Sequence, residues 1–245
     1  MIRVLVLIMI TGFLVGVVSL SAAVGLGGPD LAARNWQWST FDWWDDNDHW
    51  SHRRDHHAGP TATREMAWDG AATLILDIPA DVAFTQAPGA GTVSISGPQD
   101  TVEKVVLENG RLYFKDLNHG GRRLTVQISA PAVTRFELNG DDQLEIRDYR
   151  QDRLELRVHG SSEVEGSGEA KIIDLDIAGS GEADLGGVSA EEAKVDISGS
   201  GEATIAPKSA ASLNVSGSGE VTLLTRPERL QSEVSGSGQV IQSGP

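Results

Sequence analysis

Four glutamates carry the most regular chemistry in this chain. Glu163, Glu182, Glu202 and Glu220 follow one another at 19, 20 and 18 residues, and glutamines hold the equivalent places at Gln143 and Gln239. Carboxylate oxygens suit hard cations, so a stacked row of them points to Ca²⁺ or a cationic partner. The same column also serves as a solvated turn position that keeps an edge soluble. Stacked at strand spacing, each carboxylate stands about 5 Å from the next. Like charges that close repel by about 1 kcal/mol or less in water. Ser180, Ser200, Ser218 and Ser237 form a second row, expected to satisfy turn backbone groups rather than to catalyse.

A second concentration lies near the N-terminus, in the tract from Asn35 to His57. His49, His52, His56 and His57, assisted by Asp45, Asp46 and Asp48, have the residue types of a transition-metal site. The alternative is a juxtamembrane linker, with Trp36, Trp38, Trp43, Trp44 and Trp50 at the membrane interface. The chain has no cysteine, hence no thiolate site and no disulfide framework.

No catalytic constellation emerges. The Gly-Ser-Gly copies lack the Lys-Ser/Thr of a phosphate loop, and Gly-x-Ser-x-Gly is absent. Nothing in the sequence places His119 or His159 beside a serine and an acid. Asp141 and Asp142 are paired carboxylates, but they sit where sibling copies have Ser-Ser or Ser-Gly, and read as a turn variant. The expectation is a non-enzymatic protein without a resident cofactor. The alternatives are a carbohydrate-active β-helix enzyme and a metal-responsive envelope protein using the histidine tract.

The elements that position these residues are repeats. Ile177–Glu182 reads I-A-G-S-G-E, Ile197–Glu202 I-S-G-S-G-E, Val215–Glu220 V-S-G-S-G-E and Val234–Gln239 V-S-G-S-G-Q, with degenerate copies at Leu138–Gln143 and Val158–Glu163. The anchoring glycines are Gly140, Gly160, Gly179, Gly199, Gly217 and Gly236, at spacings of 20, 19, 20, 18 and 19. A fixed period of that length marks one structural unit stacked on the next. Two residues before each glycine stand Leu138, Val158, Ile177, Ile197, Val215 and Val234; four before stand Phe136, Leu156, Leu175, Val195, Leu213 and then polar Ser232. The residue between these columns is always polar, the period-2 signature of a half-buried strand. The apolar column four after the glycine is Leu144, Val164, Ala183, Ala203, Val221 and Val240. Each unit is thus a strand, a glycine-rich bend at which positive φ is expected, a short strand and a variable turn. Such units suit an all-β fold, a parallel β-solenoid with coils of 18 to 20 residues.

Residues from about 70 to 135 show a looser alternation and are expected to form the first coils and a cap covering the open edge. Three regions result: a hydrophobic N-terminal helix over 1–29, a Trp/Asp/His-rich linker over 30–66, and the solenoid domain over 67–245. Arg3 precedes an uncharged stretch from Val4 to Pro29, long enough to span the inner membrane through residues 4–28. Ser21, Ala22 and Ala23 also offer a signal-peptide cleavage site. Either way the solenoid is expected outside the cytoplasm, in the periplasm or at the cell surface. The net charge of −15 disfavours nucleic acid and anionic lipid as partners.

The Gly-Ser-Gly-Glu phrase with its flanking strands resembles the bacterial putative auto-transporter adhesin, head GIN domain family, over about residues 70 to 240. Val93 to Gly97, Gly110-x-Leu112-x-Phe114, and Leu124-x-Val126-x-Ile128 with Pro131 extend the resemblance upstream. It implies a right-handed parallel β-helix, exported, with an adhesion or envelope role. It brings no catalytic residues. The expected function is adhesion, binding or scaffolding through the repetitive surface, with an envelope glycan or protein as ligand.

Overall fold

The computed structural model describes residues 60–116 and 122–243. The N-terminal apolar segment and His49, His52, His56 and His57 lie outside the described residues.

The repeats form a parallel β-solenoid. Strands β8 (Arg135–Gly140), β9 (Gln143–Gly160), β10 (Glu163–Gly179) and β11 (Glu182–Gly199) follow one another in register, and each glycine-rich bend separates one strand from the next. Beyond β11 the coil divides into β12 (Glu202–Ile205) and β13 (Pro207–Gly217), then β14 (Glu220–Leu223), β15 (Arg229–Gly236) and β16 (Gln239–Gln242). The anchoring glycines pair in sequence, Gly140 with Gly160, then Gly179, Gly199, Gly217 and Gly236.

That register puts the apolar columns inside. Leu138, Val158, Ile177, Ile197 and Val215 stack as one column, each at most 1% exposed. Leu144, Val164, Ala183, Ala203 and Val221 stack as another. Large aromatic side chains fill the N-terminal part of the interior, where Phe84 and Phe136 meet edge to face at 5.0 Å and the buried Tyr149 donates to Arg153 O at 2.6 Å. Small residues such as Ala183 and Ala203 line the later coils.

The upstream region departs from simple coils. β2 (Thr73–Asp77) and β3 (Ala80–Gln86) do make a parallel coil, stacked on β8 and β9. Next to it come β6 (Arg111–Phe114) on β2 and β7 (Leu124–Ala130) on β3, both parallel. The remaining strands are antiparallel: β4 (Thr92–Pro98) on β7, β1 (Thr61–Ala67) on β4, and β5 (Val105–Glu108) on β6. The one-turn helix α1 (Gln99–Val102) joins β4 to β5. Period-2 alternation reports which face of a strand is buried but not its direction, so the sequence did not reveal this reversal. Residues 61–66, expected in the linker, are part of β1.

Candidate functional site

Each bend is built on its predecessor. The N–H of Ser180 donates to Gly160 O, that of Ser200 to Gly179 O, and that of Ser218 to Gly199 O, each at 2.8 Å. Two residues on, the Glu202 and Glu220 N–H groups donate to Gly181 O and Gly201 O at 3.0 Å. The serine row therefore serves through its backbone N–H, while the side chains of Ser180, Ser200 and Ser218 face solvent.

Five of the six anchoring glycines, from Gly160 to Gly236, have φ between +104° and +132°. At Gly199 and Gly217 an added Cβ would also overlap the carbonyl oxygen of the glycine one coil earlier. Gly140 is the exception: it lacks positive φ, and a Cβ there would meet only Asp142 Oδ2, at 3.4 Å. The second glycine of the phrase matters for another reason. A Cβ at Gly219 or Gly238 would come within 2.7 Å of the glycine carbonyl below it, although neither has positive φ. Sequence reasoning assigned both glycines to bending; the second serves close stacking.

The bends bring the predicted glutamates together. Gln143, Glu163, Glu182, Glu202, Glu220 and Gln239 occupy one column of directly paired positions. Asp81 of β3 extends it at the N-terminal end. Gln143 Nε2 donates to Glu163 Oε2 at 2.9 Å, and Gln239 Nε2 donates to Glu220, so an amide closes each end of the carboxylate row. Two residues along, Glu145, Glu165 and Asp184 form a parallel acidic column. Arg147 pairs with Glu145 and holds its carboxyl below the usual range. Among the described residues no Lys or Arg forms an ion pair with Glu163, Glu165, Glu182, Asp184, Glu202 or Glu220.

The outer face of the long strands has a different character. Arg135 and Arg157 bind Glu155 at 2.8 and 3.0 Å, and Arg153 binds Asp174 at 2.7 Å. Lys194 donates to Asp196 at 2.5 Å and holds that carboxyl below its ordinary value. The molecule thus has one face crossed by several ion pairs and one acidic face whose central carboxylates have none among the described residues.

The acidic row does not form a cage. Consecutive carboxylates lie along a line, whereas Ca²⁺ takes six to eight converging oxygens. Among the described residues no group of three or more His, Cys, Asp or Glu converges for a metal ion. His159 is paired in register with Asn139 and Ala178, which supply neither a nucleophile nor an acid.

The sequence reading undervalued Asp142. It replaces the second glycine of the first bend, is 2% exposed, and accepts from Ala80 N–H at 3.1 Å through Oδ1. Its own N–H donates to Ser162 Oγ at 3.1 Å, and Ser162 in turn donates to Gly140 O. Burial is the main cause that raises its pKa to about 6; neighbouring Asp141 adds to the rise, and the Ala80 hydrogen bond and Arg123 oppose it. A carboxylate at a position held by serine at Ser162 and by glycine in the later bends was the available signal.

The family described as "Putative auto-transporter adhesin, head GIN domain" matches residues 71–245. The chain belongs to this family. Its fold is similar to that of a putative adhesin from Bacteroides fragilis NCTC 9343, with 17% identity and a TM-score of 0.60 over 75% of this chain and 97% of that one. It is also similar to a putative lipid binding protein from Parabacteroides distasonis ATCC 8503, with 19% identity and a TM-score of 0.52 over the same shares, 75% and 97%. Among curated proteins none matches.

Proposed function

We propose that this family member is a non-enzymatic binding protein of the cell envelope, exported to the periplasm or cell surface, whose acidic face is its adhesive surface. The observation that carries the reading is the in-register row from Glu163 to Glu220, which no Lys or Arg among the described residues pairs and which Glu165 and Asp184 flank. Stacked coils hold these carboxylates at a fixed strand spacing. A rigid line of like charge favours ligands that present several cationic groups together, because each added contact is made without further ordering of the protein. An envelope protein or glycan bearing such groups is the partner. Residues 4–28 would hold the domain at the inner membrane or direct its export. The adhesin description of the family and the similar folds agree with this role.

The test is retention of envelope fractions by the full chain and by a Glu182→Lys/Glu202→Lys variant. Retention by the parent that weakens with salt and falls at least about tenfold in the variant supports the reading. Equal retention by both removes the acidic face from the function. Depolymerisation of an envelope polysaccharide by the parent would replace the binding role with an enzymatic one.

A further inference from the structure

The solenoid's two ends are finished differently. At the N-terminal end, β5 is the outermost strand of the face that contains β15. Val105 O on β5 already accepts from Arg64 Nη1 of β1 at 3.0 Å, and α1 packs on β1 and β4 beside it. At the other end, among the described residues, β15 pairs with β13 alone and β16 with β14 alone. The large hydrophobic side chains exposed among the described residues are Leu224, Leu230, Val234 and Ile241, all at this C-terminal end. Leu230 and Val234 belong to the inward columns of Ala211 and Val215, yet each is 43% exposed, and among the described residues no strand stacks beyond β15. A free strand edge with exposed apolar residues is a template for another strand.

We propose that the occupant is a second copy of this chain, docked antiparallel on β15 about a two-fold axis through Gln231. Charge complementarity selects the occupant and the register. An antiparallel pair centred on Gln231 sets Arg229 of each copy opposite Glu233 of the other, twice per interface. Both residues are exposed, and among the described residues the only ion pair of Arg229 is a 4.0 Å contact with Glu192. The same register keeps inward residues inward, since positions related through a single central residue share a face of the sheet. Leu230 and Val234 then lie beneath the partner's terminal coil. Head-to-tail growth is disfavoured because the matching edge, β5, is occupied by Arg64. An isologous contact uses the open edge of both copies and closes at a dimer.

The chain contains no cysteine, so a single introduced thiol reports the register. Single cysteines are placed at residues 229 to 235 of the full chain in its native membrane or detergent, then oxidised with copper–phenanthroline. Directly opposed residues of an antiparallel pair have Cα atoms within disulfide range. Crosslinked dimer peaking at Gln231→Cys is the expected result. In that background Arg229→Glu or Glu233→Arg should each lower the yield about tenfold by setting like charges opposite one another, and the double exchange should restore it. No crosslink at any position, a peak elsewhere, or failure of the double exchange to restore the yield would overturn the proposal. Association through the N-terminal segment alone would give a dimer without the peak at position 231, and so would also count against it.

Discussion

The bends from Gly160 onward and the first bend at Gly140 solve the same problem differently. In the later bends a positive-φ glycine turns the chain and backbone N–H groups bind the coil below. In the first, Gly140 has an ordinary φ, and a buried carboxylate replaces the second glycine and reaches back to the Ala80 N–H. A coil between two identical neighbours can use the same backbone contacts on both sides. The coil at the junction meets β2 and β3, joined by Ile78 and Pro79 rather than by a glycine bend, so a side chain must complete the hydrogen bonding. Repetition is thus satisfied by the main chain, and its interruption by a titratable group.

The largest effect that would sharpen this contrast is at Gly199 or Gly217. Valine there combines positive φ with backbone overlap, and each variant should lose more than about 3 kcal/mol in urea unfolding. Gly140→Ala should lose less than about 1 kcal/mol, because it has neither constraint. Equal losses at Gly140 and Gly199 would erase the distinction between the two kinds of bend. Aspartate at Ile177 or Ile197, where the native side chains are 0% and 1% exposed, should cost about 4 kcal/mol or prevent folding. Asp176→Asn on the outer face should stay within about 0.5 kcal/mol by the same assay.

A smaller effect tests the junction through pH. A carboxyl whose pKa is about 6 in the folded state and near 3.8 when unfolded binds its proton more tightly when folded. Its contribution is therefore full below about pH 4 and is lost as pH rises through 6, by up to roughly 3 kcal/mol. Asp142→Asn should remove this component: the melting temperature should exceed the parent's at pH 8, and the difference should shrink toward pH 4. A variant destabilised equally at both pH values would show that folding does not raise the pKa of this carboxyl. The smallest effect is expected at the acidic face. Glu182→Gln or Glu202→Gln should change stability by no more than about 0.5 kcal/mol while lowering the salt dependence of envelope retention.

Much of the architecture was legible because a solenoid is local information repeated. The inward columns through Ile177 and Ile197, the row from Glu163 to Glu220 and the glycine column all follow from one period and one alternation. Stacking needs no further choice once each unit buries the same face against a copy of itself. Where the period fails, so does legibility. The antiparallel strand β4 alternates like the parallel ones while β1 and β5 do not, and nothing in the residues of any of the three reported direction. Asp142 read as a turn variant because its burial depends on Ala80, 62 residues away in the chain.

The sequence by itself determined the coil, its inward residues and the register that lines up the carboxylates, since each depends on contacts between equivalent positions of neighbouring repeats. Only the tertiary structure decided which glycine bends and which stacks, that reversed strands end the sheet on the N-terminal side, and that among the described residues no strand covers β15. Those features depend on which backbone atoms of non-equivalent segments come to face one another, and a repeat pattern carries no record of that.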